Sequence, residues 1–578
     1  MFLIKTKIMN RIINNIRHNI RVQAINLWSS ILLVALLLVA SSSCTDFLEV
    51  EPYSTIDPEF FLDSEPNAEL ALAGVYNVLN AGDINGEGNA HTFRRGLLFM
   101  LNASTDECAP NNKNPQYEPY MNFSYQSTDV FGRYAWLFFY AGITRANSLL
   151  EGIDNITFET EGRKEQIKAE ARFLRGIYYQ YLVWMYGGVP LTLSTNDPNE
   201  LERSSLETVY ESIEKDLLYA YNTLNPVSNI SGRANKWSAA GYLAKMYLYL
   251  ASCKENNVGA ELTLDLNKFD WVNSADMYQK AYEVNSAIIG NKSLTPEYFH
   301  LFRTEKNDDT YDEVLFGVEA VNNQDVVMIY VNAFIPQGNV NTVGGGYGFM
   351  RPGYDLYAKY DRENDVRYAN NLTGNLGGNP ATRDEELIEG TRYYIPNKIP
   401  ANMPAGYGLI SIGKWRYPVP GTRAIEPWAS DCNFQLVRYA DILLMQAELE
   451  LKHNNNETAA RNYLTKVRER AAEYDQARLD AMTASYFKGD LMDEIMDERS
   501  RELCFETWRR FDLIRTGRMQ STIDNLSLTG HKYQPNMGVV KNNYEPYKIW
   551  FPIPDNEMAV NKLMVQNAGY VADETPAE

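Results

Sequence analysis

Histidine and cysteine are scarce in this 578-residue chain, five of each, which thins out most metal and nucleophile chemistry at once. No two cysteines form Cys-x-x-Cys, so neither a zinc ribbon nor a dithiol redox motif is offered. His-Glu-x-x-His, Gly-x-Ser-x-Gly and the phosphate-cradling Gly-x-x-x-x-Gly-Lys-Ser/Thr are missing as well. Zinc hydrolase, serine hydrolase and P-loop chemistry therefore lack their local signatures. Positive charge is short too: 54 Lys+Arg face 74 Asp+Glu, a formal charge of −20. Nucleic acid and anionic lipid surfaces select basic proteins, so both are disfavoured as partners. No apolar run reaches the ~20 residues that a bilayer span needs.

What is present begins with a leader. A basic, acid-free stretch (Lys5, Lys7, Arg11, Arg17, Arg21) precedes the apolar run Ile31–Ala40, then Ser41-Ser42-Ser43 and Cys44. A charged start, a short apolar centre and small residues at the cut describe a secretory signal over residues 1–43. A cysteine directly after the cut points to lipoprotein processing, in which the thiol takes a diacylglycerol and Cys44 becomes the N-terminus. Ordinary secretion with an incidental cysteine is the alternative. The leader holds five basic and no acidic residues, so 44–578 keeps 49 Lys+Arg against 74 Asp+Glu, a formal charge of −25. In an oxidising exterior Cys108, Cys253, Cys432 and Cys504 allow three disulfide pairings. Cys253 and Cys504 sit among apolar neighbours in helical stretches, where a buried free thiol is the commoner state.

Helical periodicity dominates the rest. Ile167, Ala171, Leu174, Tyr178, Tyr181 and Met185 recur at 4-3-4-3-4, one face of a helix that Gly187-Gly188 and Pro190 end. Leu206, Tyr210, Ile213, Leu217, Ala220 and Leu224 repeat the pattern behind a capping box, Ser204 with Glu207. Lys236–Ser252 with Ser274–Ile289, Arg438–His453 with Thr458–Glu473, and Pro66–Asn80 with Arg133–Ile153 read as further pairs. Four helix pairs resemble tetratricopeptide repeats without a strict period. The expected fold is mainly α, a tetratricopeptide-like scaffold over about 55–290 and 434–578. Between 293 and 433 Gly, Pro, Asn and Asp become dense, with short strands such as Glu313–Val318; so long an irregular stretch reads as functional.

Two clusters invite sharper readings. Glu498, Glu502, Glu506 and Asp512 could pass for catalytic carboxylates. Arginines interleave them at helical spacing, Arg499 with Glu502 and Glu506 with Arg509 and Arg510, so the pattern predicts local ion pairs. A glycosidase acid needs a raised pKa, and adjacent guanidinium groups lower it. Asp83-x-Asn85-x-Glu87-Gly88 resembles the opening of a calcium loop, but Arg94 stands where the bidentate Glu belongs; a polar turn is the plainer reading, and no metal or cofactor is expected.

At this point the motifs become recognisable. Cys44-Thr-Asp-Phe-Leu-Glu49, Ala71-Leu-Ala-Gly-Val-Tyr-Asn77 and Ala169-Glu-Ala-Arg-Phe-Leu-Arg-Gly176 running to Tyr186-Gly-Gly-Val-Pro190 occur in order. Arg438-Tyr-Ala-Asp-Ile-Leu-Leu-Met445, Glu498-Arg-Ser-Arg-Glu-Leu, Phe505-Glu506 and Arg510-Phe-Asp-Leu-Ile-Arg-Thr-Gly517 follow. Pro552-Ile-Pro554, Asn561 and Gln566-Asn-Ala-Gly-Tyr570 close the series, with Ala568 where proline is usual. The chain resembles the SusD/RagB family of outer-membrane nutrient-binding lipoproteins over its whole mature length. The resemblance implies one SusD-like domain over 44–578, with its irregular binding region at about 293–433. It also implies a lipid anchor at the cell outer membrane facing the exterior, and a SusC-like TonB-dependent transporter as partner.

Family members hold sugars on aromatic platforms drawn from two regions, so the resemblance implies candidate ligand residues there by region. They are Arg94, Asn102, Asp106, Tyr117 and Tyr120 in the long loop after the first helix, and Tyr347, Trp415 and Trp428 in the irregular middle. Aromatics pair a flat apolar face with polar company, which suits sugars, but they also fill cores. Three functions follow: a non-catalytic protein presenting oligosaccharide to a transporter, the same scaffold binding peptide, or a secreted glycoside hydrolase.

Overall fold

Gly187 takes φ +76°, a backbone state that favours glycine, and a Cβ there would meet the Asn267 side chain. The helix Arg163–Tyr186 therefore ends where its pattern predicts. The computed structural model describes residues 62–80, 92–103, 105–110, 115–228, 230–262, 264–307, 310–320, 348–373, 385–394, 411–415, 430–528 and 537–570. The leader, Cys44 and the turn at Asp83–Gly88 lie outside them.

The expected helix pairs all form. Helix α1 (Glu65–Tyr76) packs on α2 (Val130–Gly152), and α3 (Arg163–Tyr186) on α4 (Leu206–Thr223). Helix α5 (Lys236–Glu255) packs on α6 (Ser274–Ile288), and α7 (Tyr439–Lys452) on α8 (Glu457–Ala471). Three shorter helices follow: α9 (Gln476–Tyr486), α10 (Leu491–Leu503) and α11 (Arg509–Arg515). Helix α5 is buried on every side from Ser238 to Cys253, because α4, α6 and α11 all contact it. The described strands are short and form four antiparallel pairs: β1 (Cys108–Pro110) with β3 (Met350–Pro352), β2 (Val314–Val318) with β8 (Phe434–Arg438), β4 (Leu372–Thr373) with β7 (Ser411–Ile412), and β5 (Glu385–Ile388) with β6 (Thr391–Tyr394).

Two local expectations shift. The cap of α4 is Ser205, whose hydroxyl accepts from the Thr208 amide, one residue past the expected Ser204–Glu207 box. Arg438 is the last residue of β8 and not the first of a helix, and there it carries its guanidinium into the core. All four described cysteines are buried free thiols; burial pushes the Cys504 thiol up to about 12.

The carboxylates of α10 are structural, but their partners are not the sequence neighbours expected. Glu502 Oε1 accepts from Arg438 Nη1 at 2.5 Å and Arg470 Nη2 at 2.6 Å, while Oε2 accepts from Arg367 Nη1 at 2.9 Å. Arg438 also grips Glu506, Nε to Oε2 at 2.8 Å, and Glu313, Nη1 to Oε1 at 3.0 Å. Lys414 donates to Glu506 at 2.6 Å and to the Glu502 and Cys504 carbonyls. Arg499 turns the other way, to Asp441 at 2.8 Å and Asp512 at 2.7 Å. Glu498–Arg501 at 2.8 Å and Asp512–Arg515 at 2.9 Å are the local i, i+3 pairs among the described residues of this cluster. The helix ends at Leu503, so Glu506 leaves the register in which an Arg509 pairing made sense.

Burial alone would raise the Glu502 carboxyl, yet Arg470, Arg438 and Arg367 hold it down at about 2. Ionic stabilisation from such a group is complete above its unfolded pKa and is lost as pH falls toward the folded value. We expect an acid limb of unfolding between about pH 4.5 and 2, and Glu502→Gln should flatten it. At pH 7 that variant should lose about 3–5 kcal/mol, because three buried guanidinium groups are left short of charge. Denaturant titration of both proteins at pH 7, 4 and 3 checks this; a neutral substitution would contradict it.

Candidate functional site

The short helix Leu97–Asn102 delivers the chain to Asp106 and Glu107, which lead into β1. Asp106 is buried, and Arg509 of α11 clasps it with two bonds, Nε to Oδ1 at 2.7 Å and Nη2 to Oδ2 at 2.6 Å. Lys359, just past the helix Tyr354–Ala358, donates to the same Oδ2. Burial would raise the Asp106 carboxyl, but Arg509 and Lys359 together hold it well below the usual carboxylate range. Behind it Glu107 accepts from Ser500 Oγ at 3.0 Å and the Phe505 amide at 3.2 Å; burial pushes its carboxyl up to about 7.

Asp106 and Lys359 open onto a cavity of about 420 Å³, whose further walls include Asp355, Tyr360, Tyr486, Lys488, Asp497, Arg501 and Asn525. That volume falls in the ~300–1,000 Å³ range of ligand sites. Lys488 Nζ stands 3.0 Å from Asp497 Oδ2, and Lys359 Nζ 3.9 Å from Oδ1. The Arg501 guanidinium lies 3.6 Å from the Tyr486 ring centre, and the Tyr486 hydroxyl donates to Asp365 at 2.8 Å. Asp355 accepts from the Ser527 amide at 3.0 Å, and burial raises its carboxyl. For Asp497 burial acts the same way, but Lys359, Arg501 and Arg509 outweigh it and lower the group. The cavity wall thus alternates donors and acceptors held by ion pairs, an arrangement that can hydrogen-bond hydroxyls from several directions.

Of the expected ligand residues whose side chains are described, Asp106 alone lines this cavity. Trp415 is 1% exposed, stacked on Phe434 at 5.4 Å and edge-on to Phe302 at 5.7 Å. Tyr117 is likewise 1% exposed, stacked on Phe99 with ring centres 4.0 Å apart. Tyr120 is buried and its hydroxyl accepts from the Gly132 amide at 2.8 Å. Asn102 is buried, accepting from the Thr507 amide at 2.9 Å. These four are buried, and none of them lines the cavity beside Asp106. The Arg94 side chain, Tyr347 and Trp428 lie outside the described residues.

The sequence held a signal for what was missed. Asp355 and Lys359 stand four apart, as do Asp497 and Arg501, which sets each pair on one helical face. On α10 this face is adjacent to the one carrying Glu498 and Glu502, so outward and inward charges were read together. Among the described residues no group of three or more His, Cys, Asp or Glu could hold a metal ion. Nor is any helix among them long and apolar enough to cross a membrane.

The model for the SusD family matches residues 271–570, and one described as starch-binding associating with outer membrane matches 46–248. The chain is similar to SusD-like protein P25 of Formosa agariphila, 27% identical over 576 residues, covering 94% of this chain and 99% of that protein. A SusD homologue from Bacteroides thetaiotaomicron matches in structure with TM-score 0.69 at 22% identity, covering 88% of this chain and 98% of that one. Surface glycan-binding protein A from the same organism, solved with laminarihexaose, matches with TM-score 0.64 at 20% identity, covering 87% and 99%. At these identities the two structures establish likeness of fold.

Because Trp415 fills space between Phe302 and Phe434, Trp415→Ala should cost about 3–5 kcal/mol of stability through the void it leaves. Thermal and denaturant melts test this; an unchanged melting temperature would return the indole to the list of ligand contacts.

Proposed function

The chain belongs to the SusD family, and on that premise we propose that it is a non-catalytic surface lipoprotein that binds oligosaccharide and passes it to a TonB-dependent outer-membrane transporter. The observation that carries the reading is the polar cavity beside Asp106, built from paired donors and acceptors and joined to a scaffold in which Glu498 and Glu502 are ion-paired. Glu498 and Glu502 are held in the charged form by arginines, which unfits them to donate a proton to a leaving group. Glu107 has the raised pKa of an acid, but Ser500 and the Phe505 amide occupy it from within the core. The glycan complex of a protein with this fold supports the choice of sugar over peptide.

In this reading Asp106, Lys359 and their cavity grip hydroxyls, while Asn102, Tyr117, Tyr120 and Trp415 are packed in the core. Arg94, Tyr347 and Trp428 are the remaining candidates for direct contact, the last two for an aromatic platform. Cys44 carries the lipid anchor that holds residues 44–578, as one SusD-like domain, at the cell outer membrane.

Calorimetry with a panel of oligosaccharides should show binding without reducing ends appearing on long incubation; accumulating ends would overturn the non-catalytic reading. Lys359→Ala removes a charged donor worth about 1.5–3 kcal/mol, so affinity should fall roughly 10- to 100-fold. The melting temperature should move little, since Arg509 keeps Asp106 paired. Cys44→Ala should shift the protein from the membrane to the soluble fraction, as the lipid is its only proposed anchor. Retention after a high-salt wash would sink the lipid assignment.

A further inference from the structure

We propose that the cavity beside Asp106 selects neutral sugars and rejects glycans bearing uronate or sulfate groups; this rests on the glycan reading above and takes it to the charge class of the ligand. The charges of the cavity come as matched pairs. Lys359 is committed to Asp106 and Lys488 to Asp497, and Asp355 adds a further carboxyl. Arg501 is the one guanidinium on the wall among the described residues, and it is 2% exposed. Its Nη2 is on Glu498 at 2.8 Å and its Nη1 on the Lys359 carbonyl at 3.3 Å. Only Nε has no hydrogen-bond partner.

That inventory decides between ligands. Binding a carboxylate or sulfate firmly takes two parallel N–H donors from one guanidinium, or a cation free of other duties. Arg501 is buried and already holds Glu498 and the Lys359 carbonyl, and both lysines already neutralise aspartates. A hydroxyl asks for less: one donor and one acceptor within reach, which Lys359 beside Asp106 and Lys488 beside Asp497 supply in pairs. Long-range electrostatics act in the same direction. At −20 over the chain, and −25 over 44–578, the protein repels a polyanion before it arrives.

The test is calorimetry on the purified protein with neutral hexasaccharides (glucan, xylan and mannan series) and with matched oligogalacturonates and sulfated oligosaccharides, at 20 and 300 mM NaCl. A neutral member should bind at least tenfold tighter than any anionic one at low salt. Its affinity should change less than twofold with salt, and the gap should narrow at 300 mM as repulsion is screened. Asp497→Asn frees Lys488 and relieves Lys359, and should raise oligogalacturonate affinity at least threefold. Equal or tighter binding of an anionic glycan by the unaltered protein would overturn the charge-class inference and leave the glycan reading standing. Binding of no member of either series would remove the glycan reading itself.

Discussion

Glu502 is the group on which the architecture hangs, because its two oxygens hold three guanidinium groups from three different parts of the chain. Arg367 comes from the irregular middle, Arg438 from the end of β8 and Arg470 from α8. Buried ion pairs of this kind contribute little net stability against a well-packed apolar core, since desolvation offsets most of the attraction. What they impose is geometry. A charge left without its partner in a dry interior is so unfavourable that few other arrangements of these segments compete. The loop-rich part of the molecule, with little regular structure of its own, is thereby given a position relative to the helices.

The cavity is the outer layer of the same network. Tyr486 reaches from its wall to Asp365, which is itself gripped by Arg367 at 2.7 Å. Arg501 touches Glu498, and Glu498 is shared with Arg468 at 2.7 Å. Arg509 joins Asp106 to α11. The buried hydrogen-bonding groups of the cavity wall are therefore held by fixed partners, so under the function proposed above less ordering would remain to be done on binding.

The helices were legible because their cause is local. The 4-3-4-3-4 spacing of Ile167 through Met185, and the glycine after it, need nothing beyond neighbours in sequence. The neutral, buried state of Cys253 and Cys504 could be read in the same way from their surroundings. The charge pairs were not legible, because proximity along α10 suggested Arg499 with Glu502 while the fold sends them to opposite sides. Glu502 finds partners 32, 64 and 135 residues away. The burial of Trp415 was hidden for a related reason. Trp415 lies between a lysine and an arginine in a proline-rich stretch, which looks like an exposed loop. Lys414 beside it is itself 0% exposed on Glu506, and the backbone follows it inward.

The long sequence separations within the network bear on the rate at which the molecule comes apart. To open, the core must rehydrate Arg367, Arg438, Arg470 and their acids together, because releasing one leaves the others uncompensated. Contacts this distant also carry a loop-closure cost, and we expect them to form late when the chain folds. Interactions absent from the transition state slow unfolding and leave the folding rate nearly untouched. Beyond its equilibrium contribution, the charge cluster therefore acts on persistence in time, as a kinetic stability.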